Sequence, residues 1–149
     1  MFIREFAPND TESVYMIALE SLDEKYEPSV FGFFQSLWPG GQLVACDTAG
    51  KPVGFIFSTK IQNSAARIMM IAVSPEYRGN GIGQQLLDRF RLNAKLAGIY
   101  SITLEVRPTN IRAMKFYKRN GFAETETLYN FYQDGGNAVR MNGPIQRLN

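Results

Sequence analysis

Histidine is absent from this 149-residue chain, and cysteine occurs once, at Cys46. Without histidine there is no Ser-His-Asp triad, no Cys-His dyad and none of the usual His-containing zinc sites, so no metal ligand set is assigned. A lone cysteine cannot form an internal disulfide, which makes a reducing, cytoplasmic location the default. Neither sign of charge dominates. Sixteen Lys+Arg stand against 14 Asp+Glu, and a net charge of +2 is too balanced to point to nucleic acid or to an anionic membrane. No window approaches the roughly 20 apolar residues that cross a bilayer. The start, Met1-Phe2-Ile3-Arg4-Glu5-Phe6, lacks the charged flank and apolar core of a signal peptide. Repeats, low-complexity tracts and Pro/Ser-rich linkers are missing as well.

What is present is a globular composition, 45% hydrophobic and 20% charged. The length suits one domain, 1–149, and is too short for two well-buried ones. Residues 2–6 suggest a strand. Asn9, Asp10 and Thr11 offer N-caps for a helix over Ser13–Leu22, and Pro28-Ser29 restart a second, aromatic-rich one (Phe31, Phe33, Phe34, Trp38) that Pro39-Gly40-Gly41 ends. Of that stripe, most is expected in the core. Gln42–Cys46 and Pro52–Thr59 read as strands around the turn 47–51, and Arg67–Val73 as a strand buried on both faces. Gly81–Ala97 carries apolar residues at helical spacing, with Gly98 as its stop. Tyr100–Val106 alternates as a strand does. Asn110 can cap a helix that Gly121 ends, and strands near Phe122–Leu128 and Asn137–Met141 follow. The order β-α-α-β-β-β-α-β-α-β-β predicts an α+β domain with a mixed sheet and helices on its faces.

Ser74–Gln84 is the most informative stretch. Gly79, Gly81 and Gly83 lie between a strand and an amphipathic helix, so backbone N–H groups can converge on one concavity, with Arg78 and a helix N-terminus adding positive charge. That combination suits a pyrophosphate or another polyanion. Gly83-Gln84-Gln85 lacks the Gly-Lys-Ser/Thr of a P-loop, and the dinucleotide fingerprint would need glycine where Gln84 or Leu86 stands. Glu105 sits roughly where a ribose-binding acid would, which keeps a nicotinamide reading open. A plain flexible turn is the structural alternative.

The Arg-x-x-Gly-x-Gly spacing of Arg78, Gly81 and Gly83 resembles the acyl-CoA signature of the GCN5-related N-acetyltransferase (GNAT) superfamily. Leu104-Glu105-Val106-Arg107, Asn110, Ala113, Phe116-Tyr117 and Asn120-Gly121-Phe122 resemble its second cofactor segment. Ser21–Tyr26 and Tyr132-Gln133-Asp134-Gly135 are similar to the branch that acetylates protein N-termini, which includes ribosomal-protein alanine acetyltransferases and archaeal relatives. The resemblance implies a GNAT fold, a mostly antiparallel sheet of about seven strands with about four helices. It also implies acetyl-CoA as co-substrate, and protein or peptide N-termini as substrates, with association with the ribosome or ribosomal proteins as a further expectation. It assigns cofactor contacts to Ile71, Ala72, Val73, Arg78, Gly79, Asn80, Gly81, Ile82, Gly83, Gln84, Asn110 and Tyr117. Leu22, Glu24, Tyr26 and Tyr132 become the substrate contacts.

An α-amine, with a pKa of about 7.7–8.0 against about 10.4 for lysine, needs only a modest base, and a carboxylate acting through one water suffices. Glu105 is the candidate base and Tyr117 the candidate acid for the departing thiolate. A solvated strand glutamate and a packed aromatic are their structural alternatives. Asn110 can cap its helix and also bond the pantetheine arm. Where some relatives carry histidine, this chain has Arg67 and Glu105. Cys46 lies away from every cofactor motif, which favours direct transfer in a ternary complex. Transfer to a small-molecule or lysine amine competes within the enzyme class, and a non-catalytic acyl-CoA-binding module competes from outside it.

Overall fold

The structure is a computed structural model and describes residues 1–62 and 64–146. Seven strands form one sheet in the order β1-β2-β3-β4-β5-β7-β6. They are β1 (Phe2–Glu5), β2 (Leu43–Cys46), β3 (Pro52–Gln62), β4 (Ala65–Val73), β5 (Ser101–Val106), β6 (Ala123–Leu128) and β7 (Ala138–Pro144). Four α-helices cover it: α1 (Thr11–Ser21), α2 (Ser29–Leu37), α3 (Ile82–Leu96) and α4 (Ile111–Arg119). Every strand pair is antiparallel except β4 with β5. The expected α+β order and sheet are present. No helix of the described residues is long and apolar enough to cross a membrane.

Two cores flank the sheet. Ile82, Leu86, Leu87, Phe90 and Ala94 recur on one face of α3 and pack, with α4, against Ile56, Ile102 and Leu104. On the other side Val14, Ile17 and Ala18 of α1 and Phe31 and Phe34 of α2 pack against Val44, Phe55 and Phe57. Phe31, Phe34 and Trp38 are buried as the aromatic stripe predicts, whereas Phe33 is exposed.

Two local expectations change. Asp10 does not cap α1 with its side chain. Its carboxylate instead accepts from both terminal nitrogens of Arg4, at 2.7 and 2.9 Å, and from the Ala7 amide. Strand β4 is not buried on both faces either. Ala66, Ile68, Met70 and Ala72 are buried, while Arg67, Met69, Ile71 and Val73 between them stay half-exposed. The register against β3 jumps from Phe57↔Met70 to Ser58↔Ile68, which leaves Met69 as the extra residue of a β-bulge. The bulge swaps faces: Ala66 and Ile68 join the α3 core, but Met70 and Ala72 join the α1/α2 core. On its other edge β4 pairs with β5 only through Ala65–Arg67 opposite Ser101–Thr103, and beyond that point the strands part. The resulting gap positions the site.

Candidate active site

A cleft of about 550 Å³ occupies the gap, with Ile68–Val73 along one wall and Leu104–Arg107 along the other. The glycine loop lies at one end. Gly79 and Gly81 have φ of +82° and +78°, which an L side chain rarely adopts, and Gly81 leads directly into α3. The loop therefore turns and delivers a helix N-terminus to the cleft in three residues. Arg78 anchors it: its Nε donates to the Val73 carbonyl at 3.0 Å and one terminal nitrogen to Ser21 Oγ at 3.1 Å. The loop is thus tied both to the end of β4 and to the end of α1.

Of the twelve residues assigned to a cofactor, all but Asn80 line the cleft. The Asn80 amide turns inward and donates to the Tyr77 and Arg78 carbonyls, shaping the loop rather than facing a ligand. The Gln84 side chain is occupied as well. It donates to Asp88 and Asn120 at 2.8 Å and accepts from Asn120 at 3.0 Å, which leaves its main chain to serve a ligand. Ala72 and Ile82 are buried, so little of either side chain meets the cleft that they line. Asn110 caps α4, accepting from the Ala113 amide at 3.2 Å, and lines the cleft at the same time.

Tyr117 is only 6% exposed, wedged edge-on between Phe116 and Phe122. Burial, with a smaller push from Tyr132, holds its phenol far above the ordinary tyrosine value. Its hydroxyl accordingly stays protonated at neutral pH, and among the described residues it donates no hydrogen bond within the protein.

A second cavity of about 180 Å³ adjoins the first and shares Glu24, Tyr26, Ile68, Met69, Glu105 and Tyr132 with it. The four residues assigned to substrate come together at the main cleft, Leu22, Glu24 and Tyr26 from the α1–α2 loop and Tyr132 from the β6–β7 hairpin. Desolvation dominates the shift of the Tyr132 phenol, which is pushed up to about 12 against the opposing pull of Arg107. Tyr26 is raised by burial too, with Glu24 adding to it and Arg67 opposing it. Two phenols, Tyr26 and Tyr132, thus face the junction of the two cavities, while Tyr117 lines the main cleft.

Glu105 lies at that junction with its side chain only 5% exposed. It is not the solvated strand glutamate of the structural alternative. Arg67 Nε donates to Oε1 at 2.7 Å, and Arg140 Nε donates to Oε2 at 3.3 Å. Arg140 in turn pairs with Glu126. Sequence reading quoted Arg67 only as a replacement for histidine and missed Arg140 altogether. It also gave no role to Arg107, which contacts both substrate loops, or to the bulge at Met69. Glu105 lies 38 and 35 residues from Arg67 and Arg140, and Asp134 lies 27 from Arg107, separations at which no local pattern reports a contact.

A cleft with a glycine loop and a helix N-terminus at one end, a protonated phenol in its lining and a second cavity adjoining it has the layout of a two-substrate site. The comparisons agree. Residues 9–122 match the Acetyltransferase (GNAT) family, and the chain belongs to it. It is 34% identical over 144 residues to an uncharacterised N-acetyltransferase of Methanocaldococcus jannaschii, covering 95% of this chain and 90% of that one. It is 30% identical to N-alpha-acetyltransferase 30 of Schizosaccharomyces pombe, covering 87% and 88%. Its backbone superposes on crystalline Ard1 from Thermoplasma volcanium with a TM-score of 0.93 at 39% identity, over 97% of both chains. The protein is an acetyltransferase.

Proposed function

We propose that this chain transfers the acetyl group of acetyl-CoA to the N-terminal α-amine of proteins and peptides, with small first residues such as Ser and Ala. The observation that carries the reading is the small second cavity, which meets the main cleft at Glu105, Tyr26 and Tyr132. A donor lying along the β4–β5 gap and an acceptor entering from the other side would face each other there. The relatives named N-alpha-acetyltransferase support the choice of acceptor.

The chain's own residues supply each requirement. The main chain of Ile71–Val73 has no strand partner on the β5 side, so the groups it points there, apart from the Val73 carbonyl that Arg78 holds, are open to hold the pantetheine amides and to polarise the thioester carbonyl. The glycine loop and the α3 N-terminus hold the pyrophosphate. Arg67 and Arg140 fix the Glu105 carboxylate in place, and Glu105 takes the α-ammonium proton through one water. The amine nitrogen then bonds to the acetyl carbon, the carbon–sulfur bond breaks, Tyr117 gives its proton to the departing thiolate, and the second proton that the nitrogen sheds on becoming an amide restores the Tyr117 phenol through water. Tyr26 and Tyr132 donate to the first backbone carbonyls of the substrate, and Leu22 shapes the pocket for its first side chain.

The same reading treats 1–149 as one catalytic domain acting in the cytoplasm, close to the ribosome, where α-amines of new chains first become free. It is tested with acetyl-CoA and peptides beginning with Ser, Ala or Met, each with a free or blocked N-terminus and an internal lysine. Mass spectrometry should place acetyl on free α-amines alone. Acetyl on lysine, or none on any peptide, would refute it.

A further inference from the structure

The α1–α2 loop and the β6–β7 hairpin, which wall the second cavity, meet on a single side chain. Arg107 follows β5 and falls on the same face as Glu105, and its side chain is 19% exposed. Its Nε lies 3.2 Å from Asp23, and one terminal nitrogen lies 3.6 Å from Glu24 on the first loop and 3.2 Å from Asp134 on the second. Its guanidinium carbon stacks 4.0 Å from the centre of the Tyr132 ring. Glu24 also accepts from the Gln133 amide at 3.2 Å, and Asp134 from the Gly136 amide at 2.9 Å. The Arg107 guanidinium lies against Gly136 of the hairpin, where a Cβ would meet one of its terminal nitrogens.

Charge makes this contact more than ornament. Three carboxylates, two on one loop and one on the other, share one guanidinium, so the loops repel each other wherever Arg107 is missing. Each pair is partly exposed and weak alone. The planar fork serves several carboxylate oxygens and stacks on an aromatic ring at once, which a lysine ammonium cannot do. No atom of Arg107 is needed for the chemistry assigned to Glu105 and Tyr117.

We propose that Arg107 is a positioning residue that latches the two acceptor-side loops together and so sets the width of the cavity that receives the substrate's N-terminus. The proposal rests on the peptide-acceptor reading above. It predicts that Arg107→Gln raises the peptide KM by about ten-fold or more while the acetyl-CoA Kd and the kcat at saturating peptide change less than about two-fold. Arg107→Lys should fall between the variant and the wild type. Adding Asp23→Asn and Asp134→Asn to Arg107→Gln should recover part of the lost KM, because the repulsion goes with the carboxylates; a residue that merely held the fold together would gain nothing from them.

Hydrogen exchange on the intact protein gives a readout independent of activity. In Arg107→Gln the amides of 22–26 and of 131–136 should exchange faster together, with those of β4 and α3 unchanged. If neither loop responds, or if the loss falls on kcat or acetyl-CoA binding instead of peptide KM, the latch is wrong. Should the wild type label no peptide at all, the acceptor reading fails, and the exchange result still decides the latch.

Discussion

Arg67 donates from Nε to Oε1 of Glu105 at 2.7 Å, joining the last paired residue of β4 to the residue of β5 two beyond its partner Thr103, where the strands part. This pair lies at the apex of the cleft and is where the two cavities meet. The carboxylate is therefore a fixed feature of the site, held on its other oxygen by Arg140.

Glu105→Gln should lower kcat about 100-fold with acetyl-CoA affinity nearly unchanged. It should also cost about 1–2 kcal/mol of stability, lowering Tm by about 3–6 °C. The cost is modest because Arg67 and Arg140, 32% and 36% exposed, regain water when their partner is neutralised. Steady-state kinetics and calorimetry measure the two effects separately. Wild-type turnover in this variant would remove Glu105 from the proton path.

Tyr117→Phe removes one oxygen from a side chain whose ring packs in the core, so fold and cofactor affinity should be kept. Turnover should fall about 100-fold or more, the scale of a lost general acid. Full activity would show that the thiolate takes its proton elsewhere.

The pH profile should have one limb. The rate should rise as the substrate α-ammonium loses its proton near pH ~8. Protonated phenols are needed as donors, and their protons leave only as pH passes their raised values. Tyr117 is held far above the ordinary range and Tyr132 at about 12, so no alkaline fall belongs below pH ~10. A descending limb between pH 8 and 9 would contradict the environments described for these two tyrosines.

Asn120 ties the beginning of α3 to the end of α4. It is 1% exposed, exchanges amide hydrogen bonds with Gln84, donates to the Phe116 carbonyl and accepts at its own carbonyl from Arg91. Asn120→Ala keeps the main-chain bond but removes the buried side-chain amide and its bonds to Gln84 and Phe116, and should destabilise the protein by about 1–3 kcal/mol. Because the glycine loop feeds directly into this helix, acetyl-CoA binding should weaken too. Thermal melts with and without acetyl-CoA would check both.

Much of this was legible along the chain because its causes are local. Helical spacing from Ile82 to Ala94, stops at Gly98 and Gly121, the Asn110 cap and the glycine loop each follow from a few adjacent residues. The ion pairs were not, since Glu105 meets Arg67 and Arg140 at separations of 38 and 35 residues. Strand β4 misled for another reason. Met69, Ile71 and Val73 are as apolar as core residues, but they face a cleft built for a partly apolar ligand, and no periodicity separates those two environments. Asn80 and Gln84 sit where the resemblance implies cofactor contacts, yet their side chains brace the loop and the helices.

The central claim is that donor and acceptor reach the Glu105–Tyr132 junction from opposite sides, with an α-nitrogen as the acceptor. Two conjugates test it most directly, both joining CoA through an acetyl bridge to the same Ser-starting peptide. One is attached at the α-nitrogen, the other at an internal lysine ε-nitrogen of a peptide with a blocked N-terminus. Titration calorimetry should find the α-linked conjugate bound about 100-fold more tightly than CoA, and the ε-linked one no more tightly than CoA. Equal affinities for the two conjugates, or a preference for the lysine linkage, would contradict the account.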